Sequence, residues 1–194
     1  MRISKIERKT KETDIAVTLN IDGKGNSKID TGIKFLNHML ESFAKHGLFD
    51  LEIKAKSLDK DQHHLVEDIG ISLGKAFKES IGDKKGINRS GYFVMPMDES
   101  LAILAIDLGG RAHLKFEAEF KGEKISDLNS ELIHDFFEGF SRTLEANLHI
   151  ILPYGRTDHH KAEAIFKAFA KAMDMATGTD ERMRGSIPST KGSI

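Results

Sequence analysis

His63-His64-Leu65-Val66-Glu67 and His159-His160-Lys161-Ala162-Glu163 spell one His-His-x-x-Glu pattern twice, in a chain with nine histidines. A further histidine stands 25 residues before each copy, His38 before His63 and His134 before His159. The shift of 96 residues that carries His38 onto His134 also carries Leu36 onto Leu132, Leu48 onto Leu144, Ile69 onto Ile165, Lys75 onto Lys171 and Ala76 onto Ala172. One spacing that repeats polar ligand types and apolar neighbours together marks an internal duplication. A period this long means two folded units, not a solenoid.

Working outward, each unit shows the same order of periodicities. Ile15, Val17, Leu19 and Ile21 alternate with more polar residues, a strand pattern. Asp22–Asn26 supplies turn residues and predicts a hairpin into Ser27–Asp30. Ile33, Leu36, Met39, Leu40 and Phe43 follow helical spacing, with Gly47 placed to cap the end. Leu48–Lys56 alternates as a strand, and His63 to about Ser80 is helical. The second half predicts strands at Tyr92–Met95, Leu101–Asp107 and Ala112–Phe120. A helix over about Ser130–Glu145, a strand at Leu148–Leu152 and a helix over roughly Asp158–Ala176 follow. From Gly178 onward the chain is rich in Gly, Ser and Thr, and no regular element is expected.

Each half therefore reads strand-strand-strand-helix-strand-helix. The expected fold class is α+β: two duplicated βββαβα units, each a small sheet with two helices on one face, packed as one pseudo-symmetric domain over 1–194. The first repeat is placed at about 1–88, the second at about 89–180, and a C-terminal tail at 181–194.

Bulk properties exclude several function classes. Net charge is −1 with histidines neutral, so nothing favours nucleic acid or an anionic membrane as partner. There is no cysteine, which excludes disulfides, thiolate metal sites and cysteine nucleophiles, and fits a cytoplasmic location. The N-terminal stretch lacks the apolar segment of a signal peptide, and the longest apolar run, Leu101–Ile106, is too short to span a bilayer.

On a helix His63 and Glu67 share a face, as do His64 and Glu67, but the adjacent histidines diverge by about 100°. One metal cannot easily take both histidines of a pair, so they suit two metals, or a metal and a substrate. Imidazole and carboxylate without thiolate suit Mn, Fe, Zn, Co or Ni. Ligand imidazoles need hydrogen-bond partners of their own, and Asp61, Asp68 and Asp158 lie close in sequence. One such pattern alone is an ordinary polar helix start. Two copies with matched upstream histidines point to metal binding by His38, His63, His64, Glu67, His134, His159, His160 and Glu163. His46, His113 and His149 have no counterpart histidine and read as structural or surface residues.

A second set suits phosphate: Arg89, Arg111, Ser189, Thr190 and Lys191, with Lys167 two turns beyond His159. Each taken alone is an ordinary solvated group.

The segments FLNHML (35–40), HHLVEDIGI (63–71), PMDESL (96–101), DLGGR (107–111), DHHKAEAIFKAFAKA (158–172) and IPSTKG (187–192), in this order, resemble the imidazoleglycerol-phosphate dehydratases of histidine biosynthesis. The resemblance covers essentially the whole chain, and nothing resembles the phosphatase domain of some bacterial members. One departure is Gln62, where the family usually has an aspartate directly before the histidine pair; here Asp61 is one place earlier.

The resemblance implies a hydro-lyase with two Mn²⁺ per active site, held by the eight residues above. It implies a cytoplasmic homo-oligomer of 24 subunits with metal sites between subunits. The small phosphorylated imidazole substrate would meet Glu12, His38, His63, Arg89, Arg111, His159, Lys167, Ser189, Thr190 and Lys191, the last three in the tail. The reaction would pass through a metal-bound imidazolate and a diazafulvene-like intermediate to imidazoleacetol phosphate. Glu12, which matches a family glutamate, is the favoured acid/base, with Glu67 or Glu163 assisting. Two other readings stay open on the residues alone. A dinuclear phosphate-ester hydrolase would release phosphate. A non-catalytic protein whose metals merely join subunits would leave the basic set and Glu12 without a role.

Overall fold

The computed structural model describes residues 1–183 and 185–194. Its first half is β1 (Ile3–Lys9), β2 (Thr13–Asn20), β3 (Ser27–Asp30), α1 (Lys34–Gly47), β4 (Asp50–Ser57) and α2 (Gln62–Ile81). The second is β5 (Ser90–Met97), β6 (Ser100–Asp107), β7 (His113–Glu117), a small hairpin β8 (Lys124–Ile125) and β9 (Leu128–Asn129), α3 (Leu132–Leu144), β10 (Asn147–Tyr154) and α4 (Asp158–Thr177).

The two sheets have the same order, β1-β2-β4-β3 and β5-β6-β10-β7. In each, the last-named strand pairs parallel with its neighbour and the other pairs are antiparallel. The α+β duplication expected from the sequence is the architecture observed. α1 and α2 lie on the first sheet, α3 and α4 on the second, and the helix layers meet as α2 on α3 and α1 on α4. The alternation of β2 is in the expected phase, with Ile15, Val17 and Leu19 buried and Asp14 and Ala16 exposed. A phenylalanine cluster fills the space between the layers, with Phe43 stacked on Phe169 at 4.7 Å and Phe77 edge-on to Phe140. Each fully buried ring contributes about 1.5–3 kcal/mol.

Two local expectations are corrected. The turn at Asp22–Asn26 does not close a hairpin: β4 lies between β2 and β3, and β3 pairs parallel with β4. The eight-residue match of β2 with β4, with Leu51, Ile53 and Ala55 in phase with the core, outweighs what four-residue β3 offers. Asp50 fixes the turn by accepting hydrogen bonds from the Lys24 and Asn26 amides, both at 3.0 Å. Second, Gly47 ends α1 from inside, and Leu48 takes the left-handed position at φ 58°. Gly47 is favoured by closeness instead, since a Cβ there would lie 2.3 Å from Phe49 Cε2 and 3.1 Å from the Ala170 carbonyl oxygen. The tail, expected to be irregular, contains one 3₁₀ turn, Glu181–Met183, and an isolated bridge from Thr179 to Ile87.

The shift between repeats is not uniform. The β1–β2 hairpin pairs Ile3 with Asn20 and the β5–β6 hairpin pairs Ser90 with Asp107, a shift of 87 residues. α2 and α4 keep the shift of 96, whereas α1 and α3 reach their left-handed caps, Leu48 and Glu145, at a shift of 97, as do β4 and β10. Ten residues are added between β7 and α3, where β8 and β9 lie, and one is lost between β10 and α4, a net of nine. This connection ties three helix starts together: Asp127 accepts from the Lys34 and Phe35 amides, its carbonyl accepts from Gln62 Nε2, and Asp158 accepts from the Lys121 and Gly122 amides.

Candidate metal centre

His38, in the first turns of α1, and His159, in the first turn of α4, approach with ring centroids 5.7 Å apart. Glu163, one turn along α4 and buried, has Oε2 3.4 Å from His159 Nε2 and 3.9 Å from His38 Nε2. Phe35 packs edge-on to His159 at 5.0 Å and limits its rotation. Burial pushes the Glu163 carboxyl up, but the Lys167 ammonium at 2.7 Å, with His38 and His159, outweighs it and holds the carboxyl below its ordinary range. Three donor atoms thus lie within 4.8 Å of one another, contributed by two helices, with no thiolate. Two imidazoles and a carboxylate with this convergence fit a divalent transition metal.

The pseudo-equivalent cluster is looser. His63 Nδ1 lies 3.6 Å from Asp135 Oδ2, and His134 Nδ1 lies 3.3 Å from Asp135 Oδ1 and 3.8 Å from Glu138 Oε2. Glu67 turns to Arg142, 3.0 Å away. Asp135 and Glu138 were not singled out in the sequence, because neither has an acidic counterpart at the 96-residue shift.

The second histidine of each pair faces elsewhere, as its helical phase demands. His64 Nδ1 is 2.6 Å from Asp59 Oδ2, and Glu12 brings a carboxylate oxygen into the same 4.8 Å group. His160 Nδ1 is 2.8 Å from Glu99 Oε2, with Asp98 alongside. The hydrogen bond to Asp59 raises the His64 pKa, and that to Glu99 raises the His160 pKa. Asp59 is held down at about 2, first by the Asp61 amide and then by His64.

The aspartates close in sequence do other work. Asp61 caps α2 by accepting from the His63 amide, Asp68 accepts from Thr13 Oγ1 and pairs with Arg8, and Asp158 pairs with Lys161. Gln62, the departure from the family pattern, binds the Asp127 carbonyl and the Asn129 amide. Thus the histidine partners are Asp59 and Glu99, which lie at the ends of connections and carry no helical phase to reveal them.

Glu12 is exposed on the β1–β2 turn, which is pinned by hydrogen bonds from the Glu12 and Thr13 amides to Thr10 Oγ1. Arg89, Arg111, Ser189, Thr190 and Lys191 line one cavity. Arg89 is aimed by a bidentate pair with Asp107 at 2.7 and 2.9 Å and by a bond from Nη1 to the Pro188 carbonyl. Lys167 lies apart from that cavity, beside Glu163 and Met97. The Arg89 amide bonds the Ala176 carbonyl near the C-terminal end of α4, whereas Glu163 is near its N-terminal end. At a rise of ~1.5 Å per residue those positions are about 20 Å apart.

The family model described as imidazoleglycerol-phosphate dehydratase matches residues 31–173. The chain belongs to this family. It is similar to proteins named imidazoleglycerol-phosphate dehydratase from Koribacter versatilis, 52% identical over 99% of both chains, and Lachnoclostridium phytofermentans, 52% identical over 100% of this chain and 98% of the relative. The crystal structure of imidazoleglycerol-phosphate dehydratase from Staphylococcus aureus superposes with a TM-score of 0.83 at 37% identity, covering 92% of this chain and 99% of that one. That of the Pyrococcus furiosus protein in complex with (S)-C348 gives 0.80 at 34% identity, covering 97% and 100%. Among the described residues no helix is long and apolar enough to cross a membrane.

Proposed function

We propose that this family member is a manganese-dependent hydro-lyase that converts imidazoleglycerol phosphate to imidazoleacetol phosphate in histidine biosynthesis, in the cytoplasm. The observation that carries the metal part is the convergence of His38, His159 and Glu163 from two helices. Family membership over nearly the full chain carries the substrate.

His38, His63, His64, Glu67, His134, His159, His160 and Glu163 would hold two Mn²⁺ per active site. Bound there, the metal supplies Lewis acidity toward the substrate imidazole. The chain's own residues do the rest. Glu12 moves the proton at the side-chain carbon, from a turn whose hydrogen bonds hold its carboxylate near His64. Glu67 and Glu163 assist as bases while ligating. Arg89 keeps an N–H on each Nη atom beyond those given to Asp107 and Pro188, and with Arg111, Ser189, Thr190 and Lys191 it grips phosphate. Lys167 neutralises Glu163 at the metal end and can reach a substrate oxygen there.

The Arg89 backbone, beside the phosphate cavity, bonds Ala176 near the C-terminal end of α4, about 20 Å along the helix from Glu163 near its N-terminal end. That placement of the two groups toward opposite ends of α4 supports a homo-oligomer whose sites combine residues of different copies; 24 subunits is the family expectation. The outer face of the second sheet supports assembly too, since Tyr92, Val94 and Ile103 are exposed there.

The test is turnover of imidazoleglycerol phosphate by metal-stripped protein with and without Mn²⁺, following ketone and free phosphate together. Manganese-dependent ketone without phosphate is the expected result. Phosphate release would indicate a hydrolase, and no turnover by a metal-loaded assembly would indicate structural metals.

A further inference from the structure

The 87-residue shift of the hairpins lays Glu12 on Glu99 and Thr13 on Ser100. The two turn glutamates are therefore duplicates of one another, but their surroundings differ. Glu12 is exposed, and among the described residues its carboxylate takes no hydrogen bond. Glu99 is half-buried and uses both oxygens: Oε2 meets His160 Nδ1 at 2.8 Å, and Oε1 accepts from the Thr157 amide at 2.8 Å and the Arg156 amide at 3.3 Å.

In the first repeat the partner of the matching histidine comes from another place. Asp59 holds His64 Nδ1 and is itself fixed by the Asp61 amide at 2.9 Å. Counted back from the starts of α2 and α4, the shift of 96 lays Asp59 on Gly155. A Cβ at Gly155 would lie 2.5 Å from Ser100 Oγ and 2.7 Å from Lys161 Cγ, so both side chains would have to shift to admit one. The second repeat has a glycine where the first has a carboxylate, and the turn glutamate fills the role.

We propose that Glu99 is a positioning residue: it accepts the Nδ1–H of His160, fixes the tautomer that leaves Nε2 for metal, and is thereby withdrawn from acid/base work, which stays with Glu12. This rests on the reading of His160 as a metal ligand. His160 Nε2 faces outward, 3.8 Å from the exposed carboxylate of Asp98. A ligand imidazole held at its other nitrogen keeps its ring orientation and gains basicity, and loss of such a partner costs about 10–100-fold in metal affinity.

The test uses full-length assembled protein stripped of metal and titrated calorimetrically with Mn²⁺ alone. Glu99→Gln keeps the size of the side chain and an acceptor for the Thr157 amide. It is expected to weaken one class of Mn²⁺ sites about 10–100-fold, with the metal-free melting temperature close to that of wild type. On a His160→Ala background, Glu99→Gln should cost no further affinity. Wild-type affinity in Glu99→Gln, or a further tenfold loss on the His160→Ala background, overturns the proposal. A wild-type chain that binds no Mn²⁺ removes the metal reading itself, and this proposal with it.

Discussion

Gly70 on α2 faces the carbonyl of Phe136 on α3 so closely that a Cβ would lie 2.3 Å from its oxygen. One turn further Gly74 faces Phe140 in the same way, at 2.7 Å. This contact sets how near His63 and Glu67 on α2 come to His134 on α3. Gly70→Ala must push the two backbones apart, and the atom in the way is backbone, which cannot rotate aside. We expect a loss of at least about 2–3 kcal/mol of stability, beyond ordinary overpacking of a flexible side chain. Denaturant melts of the metal-free protein check it; a loss under ~1 kcal/mol would mean that the interface yields.

Glu12→Gln should lower turnover of imidazoleglycerol phosphate by about 10²–10⁴-fold, the range for losing a positioned acid/base group. Mn²⁺ stoichiometry and assembly should stay as in wild type, because the turn is held by Thr10 and Thr13 and not by the carboxylate. Steady-state rates beside sedimentation and metal analysis decide it. Near-normal turnover would remove Glu12 from the chemistry.

Asp50 predicts a pH dependence. The Lys24 amide first, then Asn26, hold its carboxyl below the ordinary range. A carboxyl depressed in the folded state stabilises above its unfolded pKa of about 3.9, and that contribution is lost as pH falls through the lower folded value. The side chain is only partly buried, so solvent screening leaves no more than about 1 kcal/mol. Asp50→Asn should therefore melt below wild type at pH 6, and the gap should close toward pH 3. A gap that does not change with pH would show that the charge is irrelevant to the turn.

Ile103 stands opposite Val94 on the outer face of the second sheet, whereas the first sheet shows Asp14, Lys54 and Lys56 on its outer face. Ile103→Lys should leave the chain folded, since the side chain is already 36% exposed, and should reduce assembly. Sedimentation velocity would show smaller species. An unchanged assembly would mean that this face stays open.

The sequence by itself determined the duplication, the order of the main strands and helices apart from the β8–β9 hairpin, and the helical phase of the histidine pairs, because these follow from local periodicity and from one repeated spacing. The inward faces of β2 and of the helices were legible for the same reason. Only the tertiary structure decided that β3 pairs with β4 and not with β2, since that choice compares the lengths of matching apolar edges across long separations. It also decided which carboxylates hold the second histidines. Asp59 and Glu99 come from different connections in the two repeats, and the true kin of Glu99 is Glu12, hidden because the hairpins repeat at 87 residues and α2 and α4 at 96. Spacing along the chain reveals what one helix face shares. What two connections share depends on the residues packed around them, as at Gly155, where Ser100 and Lys161 crowd the space a Cβ would take.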